Sequence, residues 1–185
     1  MSKILVYPNK ILRKKAKEVV KIDKQLVKEV DLLKKKLAEA ENGAGLAGPQ
    51  IGISKSFFGI KGQDKKVKIF INPKMKITFG ERIYPVMVDD KNKEDNFLEG
   101  CLSFPDFFGT VKRWLKISVE WVEIKENKLV TKTKELSGFE AIVWQHESDH
   151  LEGILFVDYI KNEGGKLYKW VGEKMVEWEV NKILK

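Results

Sequence analysis

The sequence predicts an α+β domain in which antiparallel β-sheets pack around a central metal-binding helix, with a further helix at the C-terminus. Three observations predict it. Apolar and β-branched residues alternate in short runs between residues 56 and 136, as half-buried strands require. The stretch Gln145-His146-Glu147-Ser148-Asp149-His150 is flanked by Ala141, Ile142, Val143 and Trp144 before it and by Leu151, Ile154, Leu155, Phe156 and Val157 after it. A helix apolar nearly all round is a buried one. A period of three to four residues appears before the strands, at 24–40, and again after residue 165.

Tyr7-Pro8 precedes Ile11-Leu12-Arg13, where a short turn or helix begins. Asp23 can cap a helix over 24–40 whose Leu26, Val30, Leu33 and Leu37 recur three or four apart, with lysines between them. Asn42-Gly43 stops it. The glycine-rich run Gly43-Ala44-Gly45-Leu46-Ala47-Gly48-Pro49-Gln50-Ile51-Gly52 lacks the lysine of a phosphate-cradling loop, so a tight loop presenting Gln50 to a site is the reading that fits. Strands are expected at 56–60, 67–72, parts of 74–88, 115–124 and 128–136. The charged run at 89–96 reads as an exposed loop. Gly100 before Cys101 and Pro105 after it predict irregular backbone around the thiol. From Gly165, the spacing of Leu167, Val171, Met175 and Trp178 predicts the C-terminal helix, at about 165–185, packed against the domain.

A chain of 185 residues fits a single catalytic domain, 1–185, able to bury a core without staples. Its one cysteine, Cys101, excludes an internal disulfide, which suits a cytoplasmic location. No long uncharged apolar run or signal-like leader is present, so no membrane partner is expected. The formal charge of +8 is lopsided. Residues 1–36 hold twelve Lys or Arg against four acids, and the remainder balances. Such an end can meet a polyanion such as ribosomal RNA, and a solvated lysine-rich helix face fits it equally well. With no base-reading motif, DNA is not an expected partner.

The chemistry lies in His146, Glu147 and His150, the H-E-x-x-H device. Two histidines four apart share one helical face and can hold one metal ion, with Glu147 reaching a water on it. A catalytic site of this kind takes a third protein ligand. Cys101 competes for that place with Glu152, Glu163 and Glu173, and a thiolate is the stronger ligand. Phe139, Ile142, Val143 and His146 fall at i, i+3, i+4 and i+7, a stripe that ends at the metal; it is either plain core or the wall of a side-chain pocket.

Together, Gly43-Ala44-Gly45-Leu46-Ala47-Gly48-Pro49-Gln50, Glu99-Gly100-Cys101-Leu102-Ser103 and the histidine stretch resemble, in order and approximate spacing, the three signature motifs of peptide deformylases. Softer similarity takes in Leu12-Arg13, Ala16, Ile71-Asn72-Pro73, Arg113 and 151–159, and fades over the last twenty or so residues. The resemblance implies a metal-dependent hydrolase that removes the N-formyl group from the formylmethionine of nascent polypeptides. It implies Cys101, His146 and His150 as ligands of one divalent ion, Fe(II) natively, with Zn, Ni or Co also possible. Glu147 would be general base and then acid, and Gln50 with the backbone N–H of Leu102 would donate to the oxyanion. Gly45 would contact substrate backbone; Ala44, Phe97, Phe139, Ile142 and Val143 would wall the methionine pocket. Glu99, Arg113 and Asp149 would orient the ligands from behind. N-formylmethionyl peptides are the implied partners, with ribosome association an added expectation. One departure is Gly48, where the family usually has alanine; glycine there predicts a looser loop, by roughly 0.5–1 kcal/mol of backbone entropy. A general zinc peptidase using a downstream glutamate and a ribosome-binding module with a structural metal are the competing readings.

Overall fold

The computed structural model describes residues 3–88, 94–126 and 128–184. A 3-10 turn at Lys10–Arg13 precedes helix α1, Lys24–Glu39, where the Asp23 carboxylate accepts from Leu26 N at 2.8 Å. Sixteen residues make only a marginal helix alone, so its place depends on burying Leu26, Val30, Leu33 and Leu37 against Leu46, Ile51, Phe57 and Ile71. Strand β1, Gly45–Ala47, and a 3-10 turn, Gly48–Ile51, follow. Then come β2, Phe57–Lys61; β3, Val67–Phe79; β4, Val86–Val88; β5, Glu94–Asn96; β6, Glu99–Cys101; β7, Phe104–Gly109; β8, Lys116–Lys125; and β9, Lys128–Ser137. Helices α2, Gly138–Glu152, and α3, Phe156–Glu163, lead into β10, Leu167–Val171, and β11, Lys174–Trp178.

All strand pairs are antiparallel. One sheet runs β1-β2-β3-β8-β9, a second runs β11-β10-β7-β6, and β4-β5 is a separate ribbon. Helix α2 packs on β1, β2, β8 and β9, burying residues Ala141 to Glu147, His150 and Leu151. Trp144 sits among Phe58, Phe70 and Trp121, with ring centroids 4.8–5.8 Å apart and steeply inclined planes. Gln145 fastens the helix to the approach to β8, accepting from Trp114 N at 3.1 Å and donating to Trp114 O at 2.8 Å. These latches fix the height and rotation of the helix, and with them the histidines.

Three expectations need correction. In place of the expected C-terminal helix, β10 and β11 pair from Leu167↔Trp178 to Val171↔Lys174 and add to the second sheet, with only a 3-10 turn at Val180–Lys182 after them among the described residues. The hairpin has a two-residue connection with Gly172 first, at φ +62, the position that a type II′ turn reserves for glycine. Strand β3 runs on through Pro73, because a register shift between Ile71 and Lys74 takes up the imino acid. The charged run at 89–96 is not all loop, since 94–96 is β5 and pairs with β4; 89–93 lie outside the described residues. The backbone at Cys101 is irregular as expected: it is a strand end with a shift between Gly100 and Cys101, where β7 bulges at Pro105, Asp106 and Phe107.

Candidate metal centre

Two separate elements bring the candidate ligands together. His146 and His150 lie one turn apart on α2, and Cys101 stands at the end of β6; their ligand atoms all lie within 4.8 Å of one another. Cys101 Sγ is 3.3 Å from His150 Nε2. His146 Nδ1 lies 2.9 Å from Glu99 Oε2, which leaves Nε2 of that ring for the cluster. Bonds of 2.0–2.3 Å in a tetrahedron place ligand atoms roughly 3.3–3.8 Å apart, so a small adjustment closes this group on an ion. His150 Nδ1 and Glu147 Oε2 are buried without a hydrogen-bond partner among the described residues. Buried polar atoms of this kind are costly unless something else satisfies them. A soft thiolate with two imidazoles, buried and converging, fits a divalent transition metal. The rival glutamates are engaged elsewhere or point away: Glu152 pairs with Lys15, Glu163 accepts from Arg82 at 2.9 Å, and Glu173 lies in the connection between β10 and β11.

Behind the ligands, Glu99, Arg113 and Asp149 form the network expected of them. Arg113 donates to both Glu99 oxygens at 2.6 and 2.9 Å and to Asp149 Oδ2 at 2.6 Å. Sequence reasoning missed Tyr159, whose hydroxyl donates to Asp149 Oδ1 at 3.0 Å and whose ring lies 4.9 Å under the Arg113 guanidinium. Burial alone would raise the Glu99 pKa, but Arg113 and His146 outweigh it and hold it at about 2. For His146, burial works against the cation, yet the bonds to Cys101 and Glu99 raise its pKa well above the usual value. Burial lowers that of His150 far below the usual value. Glu147 is pushed up to about 7, again chiefly by burial.

Glu147 lies against β1. A Cβ at Gly45 would stand 2.6 Å from Glu147 Cγ, so only glycine lets strand and carboxylate approach this closely. Gln50 is held at both ends of its amide. Oε1 accepts from Ala47 N at 2.7 Å, and Nε2 faces Ser103 Oγ at 3.2 Å and Cys101 Sγ at 3.7 Å. Ser103 is a second residue the sequence reading passed over, although it closes the motif that contains Cys101. Gly48 has a steric role that the sequence did not show. It is buried, and a Cβ there would lie 2.8 Å from the Ile53 carbonyl oxygen and 2.9 Å from that of Lys55, so glycine admits a close backbone crossing.

These groups lie at a cavity of about 510 Å³. Every residue expected to meet substrate lines it: Ala44, Gly45, Phe97, Phe139, Ile142 and Val143, along with Gln50, Leu102, His146 and Glu147. Ile142 and Val143 are buried, whereas Phe139 is exposed at the rim, its ring meeting that of Phe97 edge-on at 5.9 Å. The stripe therefore lines a cavity and is not closed core.

Residues 1–166 match the family model described as polypeptide deformylase. A peptide deformylase of Natranaerobius thermophilus is 35% identical over 158 residues, spanning 85% of this chain and 91% of that one. The crystal structure of peptide deformylase from Thermotoga maritima superposes with a TM-score of 0.71 at 34% identity, covering 86% of this chain and 97% of its own. That of a peptide deformylase from Synechococcus elongatus in complex with actinonin gives 0.72 at 28% identity, with 98% and 83% covered.

Proposed function

The chain belongs to the polypeptide deformylase family, whose members are amidohydrolases of N-formylmethionyl peptides, and we propose that it removes the formyl group by metal-assisted hydrolysis with Glu147 moving the proton. The observation that carries this is the convergence of Cys101, His146 and His150 beside Glu147 at one apolar cavity. Cys101, His146 and His150 would hold one divalent ion, Fe(II) natively, with Zn, Ni or Co accommodated by the same donors. Such an ion supplies Lewis acidity and a water acidic enough to ionise near neutral pH.

Glu147 takes the proton of the attacking water and returns it to the departing amine. Burial of Glu147 favours holding the proton it takes before that proton is passed on. Gln50 Nε2, whose direction is set by Ala47 N on the other side of the amide, and the backbone N–H of Leu102 donate to the developing oxyanion. Among the described residues β1 is an edge strand, paired only with β2, so the backbone at Ala44 and Gly45 can receive an extended substrate. The first side chain then enters between Phe97, Phe139, Ile142 and Val143, while Glu99, Arg113 and Asp149 keep the imidazoles oriented. Nascent polypeptides as substrates imply a cytoplasmic enzyme, with the basic residues of 1–36 as the surface that would face ribosomal RNA. Among the described residues no helix is long and apolar enough to cross a membrane.

The test is anaerobic turnover of formyl-Met-Ala-Ser by ferrous-loaded protein, beside Glu147→Gln and Cys101→Ala. Formate is expected from the parent protein alone, with metal retained by the glutamine variant and lost from the alanine variant. Folded, metal-loaded parent protein that releases no formate would overturn the proposal.

A further inference from the structure

The family match ends at residue 166, just before the hairpin β10-β11. That hairpin extends the sheet whose free edge, β6, borders the cavity. Residues directly opposite each other on antiparallel strands point to the same face. The register Gly100↔Phe108, Phe108↔Tyr168 and Tyr168↔Glu177 therefore sets those four in one row across the sheet. Trp170 and Met175, paired with each other two residues along, share that face. The opposite face holds Leu167, Phe107 and Trp178, which belong to the core with α3.

The row is continuous with the cavity. Phe108 lines it, and the Phe108 ring lies across Gly100, where a Cβ would meet Phe108 Cε1 at 2.8 Å. Beyond Phe108 the row passes the half-buried Tyr168, beside which Glu177 pairs with Lys166 at 3.4 Å, and reaches open apolar side chains at Trp170, 42% exposed, and Met175, 37% exposed. An exposed Trp-Met pair next to aromatic residues at a cavity mouth is what a peptide-contacting surface looks like.

We infer that this outward face is an extended binding platform for the polypeptide substrate, taking apolar or aromatic side chains at about its fourth to sixth residues. The inference rests on the deformylase reading, which places the first residue in the cavity and requires the rest of the chain to leave it. Strands lie ~4.8 Å apart and an extended chain advances ~3.3 Å per residue. From β6 across β7 to β10 is then roughly 10 Å, or about three residues beyond the mouth. A tripeptide stops at Phe108; a heptapeptide reaches Trp170 and Met175.

The experiment compares three formylated peptides with the metal-loaded enzyme: formyl-Met-Ala-Ser, a heptapeptide extended from it with leucine at positions four to six, and the same heptapeptide with serine there. The leucine heptapeptide is expected to show a KM about tenfold below the other two, the equivalent of a few partly buried apolar contacts. Trp170→Ser and, separately, Met175→Ser on the edge strand are each expected to reduce that preference while the tripeptide, too short to reach them, is turned over as before. Equal KM values for the two heptapeptides would overturn the platform and leave the deformylase reading intact, as would an undiminished preference in both variants. Absence of formate from the tripeptide would overturn both together.

Discussion

Gly45 and Glu147 make the most demanding contact in the site, since the carboxylate occupies the space that any side chain on β1 would need. Gly45→Ala should move Glu147 by the better part of an ångström without touching a metal ligand. A displacement of that size at a proton-transferring group costs on the order of a hundredfold. The expected result is kcat/KM for a formyl-Met peptide lowered about 100-fold with metal content unchanged. Unaltered kcat/KM would mean that the carboxylate does not act from the position it has here. Gln50 is a simpler case, because Ala47 N fixes which end of the amide faces Cys101. Gln50→Ala should lower kcat by on the order of a hundredfold or more through loss of one oxyanion donor, and steady-state kinetics on the same peptide checks it. Both residue types were legible in the sequence, because glycine and glutamine in a turn-rich run have few apolar explanations. Their distances were not, since they depend on where α2 comes to rest against β1.

At the scale of elements, Arg113 ties together pieces that share no backbone hydrogen bonds with one another: Glu99 on β6, Asp149 on α2 and, through its ring, Tyr159 on α3. Its own backbone is pinned to Ile83 by bonds of 2.9 and 3.1 Å. Removing one partner of a buried ion pair leaves an uncompensated charge, at a typical cost of 3–5 kcal/mol. Arg113→Met should therefore destabilise the fold by about that amount, measured by urea denaturation, and loosen metal binding by roughly 10–100-fold, measured by chelator competition. Among the elements, α1 was readable because Leu26, Val30, Leu33 and Leu37 keep one period behind the Asp23 cap, and α2 because the two histidines sit in a stretch apolar nearly all round. The C-terminal hairpin was not. Leu167, Val171, Met175 and Trp178 fit a helical period, yet in the hairpin Leu167 faces Trp178 and Val171 faces Lys174. A glycine that could have been a helix interruption is instead the turn. The β5 strand was hidden for another reason: in a two-stranded ribbon apart from both sheets, charged residues pair without needing an apolar face.

For the whole molecule, the Cys101, His146 and His150 cluster and the buried carboxylates beside it couple protonation to folding, with opposite signs at Glu147 and Glu99. A bound cation would dominate the local charge, so the relevant measurement is on chelated, metal-free protein. The folded pKa of Glu147 is raised to about 7 from an ordinary 4.5, so the fold favours its neutral form. That contribution is full below about 4.5 and disappears as pH rises through about 7. His146, also raised, acts in the same direction. Glu99 is depressed from 4.5 to about 2, so the fold favours its anion, and its contribution is present above about 4.5 and lost as pH falls to about 2. His150, depressed far below the imidazole range, acts in the opposite sense to Glu147 and His146, its contribution present above about 6.5 and lost as pH falls. Stability of the metal-free protein should therefore fall on the acid side through Glu99, while on the neutral side Glu147 and His146 pull it down against His150. Thermal unfolding at fixed ionic strength from pH 2.5 to 8 tests this, with Glu147→Gln expected to flatten the neutral limb and Glu99→Gln the acid limb. A pH profile unchanged on both limbs in the two variants would show that the pH dependence arises elsewhere in the chain. The residues responsible could be named from the sequence, but the signs could not: they come from burial set by two sheets and a helix, and from Arg113 lying beside Glu99 and out of reach of a hydrogen bond to Glu147.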